Sequence, residues 1–167
     1  MYLPKKIYET QISAPVLESD YASYYKPILF FDKYNSKGQP IQITDKNDIT
    51  TVYLCSYNYQ YPVAEIKNVT YSQIESILGT TYISNLATNA NPTDNDLTTI
   101  NNLRYNRNYP DIQISTFKYI PLVGLSQKTD PRGVSTYFKY DEFKRLKGTA
   151  DNKNQWFNFY NYHYYNQ

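Results

Sequence analysis

Lys33-Tyr34-Asn35-Ser36-Lys37-Gly38-Gln39 and Lys139-Tyr140-Asp141-Glu142-Phe143-Lys144-Arg145 are two versions of one phrase, Lys-Tyr-Asx followed by a short polar stretch. Laid over each other they fix an ungapped self-match at an offset of 106 residues, in which Thr44-Asp45 falls on Ala150-Asp151 and Tyr59 on Tyr165. A third, partial copy sets Thr129-Asp130-Pro131-Arg132-Gly133-Val134 against Thr44-Asp45-Lys46-Asn47-Asp48-Ile49. The recurring unit reads strand, turn, strand, turn. An Asx at the first turn position bonds its own backbone two residues on, a Pro presets the next dihedral and a Gly relaxes the exit, so Asp130 to Gly133 is predicted as a type I turn. Asn35, Gly38, Asp130, Pro131, Gly133, Asp141 and Asp151 are accordingly expected as structural turn residues.

The rest of the chain divides around these turns. Residues 1–66 carry short β-branched and aromatic runs punctuated by Pro15, Pro27, Pro40 and Pro62, the marks of strands with turns. In residues 67–110 the period changes. Ile74, Ile77 and Leu78 recur at helical spacing, Thr70 and Gln73 fit a capping box and Gly79 a left-handed stop, which predicts one helix. Asp94 and Asp96 precede a second apolar face of Leu97, Ile100 and Leu103, with Pro92 before it and Pro110 after it. The Thr/Asn-rich stretch between them, Thr80 to Asn91, shows little apolar periodicity and reads as a surface loop. In residues 111–167 the β pattern returns: Val134, Thr136, Phe138 and Tyr140 alternate with Ser135, Tyr137 and Lys139, an aromatic on each face. Such a strand is either covered on both sides or leaves a polar-aromatic face to meet a partner. The fold expected is α+β and mainly antiparallel β: a single domain whose twisted sheet of hairpins carries a two-helix insert in the middle.

Composition narrows the chemistry. Tyr supplies 21 and Asn 17 of the 167 residues, while Leu, Ile, Val and Phe together supply 38, so tyrosine is expected to furnish much of the buried area. Seventeen basic against fifteen acidic residues give a net charge of +2, without the concentrated basic face of a nucleic-acid binder. One Cys and one His exclude a disulfide framework, a thiolate zinc site and a pair of His ligands, and nothing points to a cofactor. No apolar run approaches the roughly 18 residues of a membrane span, and Met1 to Lys6 lacks the apolar region of a signal peptide. If Met1 is not the native start, the chain is a piece of something larger.

Phe138-Lys139-Tyr140-Asp141-Glu142-Phe143-Lys144-Arg145-Leu146 and Tyr34-Asn35-Ser36-Lys37-Gly38-Gln39 resemble the Tyr-x-Tyr-Asp-x-x-Gly-Arg-Leu pattern of bacterial YD-repeat (Rhs) proteins, with Lys144 in place of the usual Gly and Asn35 in place of the usual Asp. Tyr57-Asn58-Tyr59-Gln60-Tyr61-Pro62-Val63-Ala64-Glu65-Ile66, then Thr70-Tyr71-Ser72-Gln73, then Tyr119-Ile120-Pro121-Leu122-Val123-Gly124 are similar, in order, to the C-terminal region of one surface-associated subgroup, in which Trp usually stands at the place of Cys55. The resemblance runs from about Phe30 to Gln167. It implies a cell-surface or secreted β-structure whose hairpins continue one curling sheet and in some relatives enclose a C-terminal toxin.

Catalytic readings are weak beside this. Asp130-Pro131-Arg132-Gly133 resembles the segment with which toxin-bearing relatives end their shell by self-cleavage, but here it runs straight into strand-like Val134 to Tyr140 and reads as a turn. Asp45, Asp48, Asp130, Asp141 and Asp151 all sit at turn signals, so a glycosidase pair is not read from them. His163 reads as a strand residue and Cys55, in the run Val52-Tyr53-Leu54, as a small buried one. The tail from Trp156 to Tyr165 reads as a final strand with Trp156, Asn158, Tyr160, Tyr162 and Tyr164 on one face and Phe157, Phe159, Asn161, His163 and Tyr165 on the other. Its aromatic ladder either stabilises the sheet or, through Trp156, Tyr160, Tyr162 and Tyr164, stacks on sugars or captures a protein. The expected function is non-catalytic: a structural and interaction module from the C-terminal part of a YD-repeat surface or secreted protein. Its partners are a protein or the remainder of the repeat array, or a glycan, and no nucleic acid or membrane span. The alternatives are a toxin-associated shell remnant or small effector, and a carbohydrate-binding module.

Overall fold

Ten antiparallel strands follow one another across a single sheet in chain order. They are β1 (Lys6–Thr10), β2 (Tyr25–Tyr34), β3 (Pro40–Asp45), β4 (Thr50–Ser56), β5 (Tyr61–Lys67), β6 (Gln113–Ile120), β7 (Gly124–Thr129), β8 (Ser135–Tyr140), β9 (Leu146–Ala150) and β10 (Trp156–Phe159). The computed structural model describes residues 2–10 and 12–164. Three α-helices, α1 (Tyr71–Leu78), α2 (Thr80–Thr88) and α3 (Asp94–Asn101), fill the connection between β5 and β6. The fold is thus α+β, a mainly antiparallel sheet with a helical insert. Short 3-10 segments at Glu18–Tyr24 and Asn102–Tyr105 lie beside β2 and after α3.

Five of the connections are one turn used repeatedly. At Asn35, Asp45, Asp130, Asp141 and Asp151 the side-chain Oδ1 accepts from the backbone N–H groups two and four residues on, at 2.8–3.0 Å. The same residue's N–H donates to the carbonyl four residues on, and its carbonyl accepts from the N–H three residues on. The fourth turn position is left-handed each time, at Gly38 (φ 78°), Asp48 (60°), Gly133 (84°), Lys144 (64°) and Asn154 (59°). This closes a type I turn onto a bulge, the common connection of a longer hairpin. Asn35 and Lys144 therefore form the same turn as their Asp and Gly counterparts.

The tyrosines of the repeated phrase have a second task. Next to the turns at Asn35 and Asp141 the register shifts between Lys33 and Tyr34 and between Lys139 and Tyr140. Past the bulge, the Tyr140 hydroxyl donates to Leu125 O on the preceding strand at 2.9 Å, and Tyr34 donates to Pro4 O just ahead of β1. Tyr162 repeats the move onto Leu146 O of β9 at 2.7 Å. Each latches a strand end to its predecessor. Similar shifts near the loops after β4 and β6 put an irregularity at the same end of four successive hairpins, the device that bends and twists a sheet locally.

The core lies where the helices cover β4, β5 and β6. Val52, Leu54, Ala64, Ile66 and Ile114 meet Ile74, Ile83, Leu86, Leu97, Ile100 and Leu103 there. Thr70 and Gln73 close the capping box of α1, and Gly79 (φ 84°) ends it. Thr93 and Asp96 form a second capping box at α3 that the sequence reading did not name. The stretch read as a loop is instead α2, because Ile83, Leu86 and Ala87 are buried on one face against β4. Three apolar residues among threonines and asparagines suffice when a sheet waits beneath them. The centre of the core is aliphatic, with Tyr57 the one buried tyrosine in it among the described residues, while Tyr61, Tyr71, Tyr82, Tyr109 and Tyr119 pack half-buried around the cluster. A ring whose hydroxyl needs a partner settles at the edge of a dry core.

Candidate interaction surface

Arg145 organises the C-terminal surface. It stands four residues after Asp141, where the turn aims its side chain back: Nε donates to Asp141 Oδ2 at 2.6 Å and Nη2 lies 2.5 Å from the same oxygen. The guanidinium lies 4.4 Å from the ring centroid of Tyr162, 5.2 Å from that of Tyr164 and 5.0 Å from that of Phe143. Its Nη1 is buried without a hydrogen-bond partner among the described residues, and the three rings take that place. The hydrogen bond from Arg145 holds the Asp141 carboxyl below its usual range. Sequence reasoning missed Arg145 and Phe143 as members of this cluster. The available signal lay in the second copy of the phrase alone, where Arg145 stands at the position that Gln39 holds in the first.

The four tail aromatics therefore do not share one face. Tyr162 and Tyr164 turn onto the Asp141 hairpin, Trp156 packs edge-on against Phe159 at 5.5 Å, and Tyr160 is exposed with its N–H on Lys147 O at 2.8 Å. The alternation predicted for the tail is corrected by a bulge: Trp156 pairs with Ala150, but Asn158 pairs with Thr149 and Phe159 with Gly148, so Phe157 is skipped. The final strand is also shorter than expected, because β9 has only five residues to pair with. His163 consequently lies past the strand, exposed, and Tyr165 lies outside the described residues.

Close backbone approach fits β9 to β10. A Cβ added at Gly148 would stand 2.2 Å from Asn158 O and 2.9 Å from Trp156 Cζ3, so only glycine admits the indole there. Asp130 and Pro131 are fixed from outside their turn as well, since Arg104 Nη1 donates to both of their carbonyls at 3.0 and 2.9 Å.

A second aromatic cluster gathers at the loop after β4. Tyr57, Asn58 and Tyr59 are all left-handed, at φ 53°, 55° and 66°. Three such residues in a row are costly, at roughly 1–2 kcal/mol each. Tyr57 Oη compensates by accepting from Tyr119 N at 2.9 Å and donating to Tyr119 O at 3.1 Å, and Tyr61 stacks on Tyr119 at 4.8 Å. Burial pushes the Tyr119 hydroxyl and the half-buried Cys55 thiol above their usual values. Among the described residues no three His, Cys, Asp or Glu side chains gather into a metal-binding group, and no helix is long and apolar enough to cross a membrane. The chain matches no protein-family model and no curated protein.

Proposed function

We propose that this chain is a non-catalytic structural and interaction module that extends a sheet by YD-type hairpins, the C-terminal part of a surface-held or secreted bacterial repeat protein. The observation that carries this reading is the five-fold use of one turn to add strand after strand to a single sheet, with β1 and β10 left as its edges among the described residues. The sequence resemblance from Phe30 onward supports the family and the location.

An edge strand presents unpaired N–H and C=O groups as a template for a further strand. β10 has no charged residue, and its Trp156, Phe157 and Phe159 are exposed. The usual guards of an edge, lysines or prolines, are missing from it. Its partner is a strand of the adjoining repeat or of a second copy. Light scattering coupled to size exclusion, run over a concentration series, tests this. Association that Phe157→Lys reduces to the 19.7 kDa monomer is expected. A monomer at every concentration overturns β10 as a pairing edge. The location is tested by antibody labelling of the native bacterium, where label that appears only after lysis overturns a surface role.

A further inference from the structure

The cross-strand register lines up one row of side chains beyond the helices. Lys118 pairs with Gln127, Gln127 with Tyr137, Tyr137 with Ala150 and Ala150 with Trp156, so cation, amide, ring, gap and ring stand side by side on one face of β6 to β10. Strands lie ~4.8 Å apart, which places the backbones of Tyr137 and Trp156 about 10 Å from each other across the small, buried Ala150. Three hollows adjoin this row, of about 540, 270 and 440 Å³. The first and second share Gln127, the first and third share Tyr137, and the second and third share Ser135. They form one continuous groove. Its floor is the sheet, and α3 with the segment after it, through Asp94 and Asn101, stands along one side.

The charges of the groove are unequal. Asp94 is taken by Lys118, and Asp141 by Arg145. Lys139 and Lys144 also line the first hollow and belong to no ion pair among the described residues, and Lys139 Nζ lies 5.8 Å from the Tyr137 ring centroid. Two cations outside any ion pair among the described residues thus line the same hollow as Tyr137. Rings that offer a face to C–H groups, amides and hydroxyls that bond hydroxyls, and cations spaced along an open cleft are the chemistry of a linear acidic sugar. A peptide would more readily add to a sheet edge than lie across a sheet face.

We propose that this groove binds a linear oligosaccharide bearing carboxylates, a uronic-acid chain, with Tyr137 as the stacking platform, Phe157 at the far end of the groove, and Lys139 and Lys144 as carboxylate partners. The reading uses the sheet face and requires no strand pairing at β10, although Phe157 of β10 also lines the third hollow. Trp156, the one Trp of the chain, stands in the same cross-strand row as Tyr137, so its fluorescence reports from beside the groove. Titration with a size-defined oligogalacturonate is expected to shift and change that emission with saturation. Lys139→Gln together with Lys144→Gln should weaken binding at least tenfold with the melting temperature intact, and Tyr137→Ala should do the same if it folds. Maltohexaose and hexaglutamate are the comparators. No saturable response to the uronate overturns the proposal, as does equal binding of the neutral sugar. Equal or tighter binding of the glutamate peptide reassigns the groove to acidic peptides and also overturns it.

Discussion

At the residue scale, Asx residues and tyrosines divide the labour of a chain poor in large aliphatics. The Asx side chain closes a turn from within, and the tyrosine hydroxyl ties the next strand end to the previous one. The first task sets a measurable cost. Asp130→Ala leaves the N–H groups of Arg132 and Val134 without their carboxylate, and hydrogen bonds to charged groups contribute about 1.5–3 kcal/mol, so a stability loss in that range is expected in urea unfolding. The reverse change is available one turn further on. Lys144 holds φ 64°, and replacing it with Gly removes a left-handed penalty of roughly 1 kcal/mol, so Lys144→Gly should raise the melting temperature. These roles were legible in the sequence, because a turn is a local event and its residues are adjacent. The partner of Asp141 was not, since Arg145 gains its meaning only when Tyr162 and Tyr164 fold back over it.

Elements depend on what lies beneath them. α1 and α3 announced themselves through caps and spacing, whereas α2 shows its apolar face only against β4, where Ile83, Leu86 and Ala87 find their burial. The docking of the helices is pH-sensitive in one direction. Burial, with Glu75 next for Tyr71 and Asp96 next for Tyr82, pushes both hydroxyls from 10.0 up to about 12. A raised value in the fold means that their stabilising contribution is complete below pH 10 and is lost as the pH climbs towards 12. Absorbance titration at 295 nm should show late-ionising tyrosines coincident with loss of helical circular dichroism, while Tyr71→Phe and Tyr82→Phe should shift that transition upward. β10 makes a separate test. Gly148→Ala drives a methyl into Asn158 O and the Trp156 indole, so the strand is expected to lift away. Hydrogen exchange at the amides of residues 156–160 should accelerate while that of β4 to β6 stays slow.

For the whole molecule, packing density is concentrated in one third of the sheet. Ile74, Ile100 and Ile114 are fully buried between the insert and β4 to β6, and Ile100→Ala is expected to cost about 2–5 kcal/mol in equilibrium unfolding. Outside that region the strands depend on turns, latches and pairing with their neighbours. The antiparallel sheet and its insert followed from the repeat and the change of period. The shortness of β10 did not, because strand length is set by the partner strand, and the sequence of the tail alone continues to alternate past the point where β9 ends. The chain-order arrangement has a mechanical meaning. β1 and β10 occupy opposite edges, so tension applied between them loads one ladder at a time, as in a zipper, instead of shearing many hydrogen bonds together. Such a sheet pays out its hairpins at low force from either side, and the helix-covered strands act as the knot at which the peeling stops.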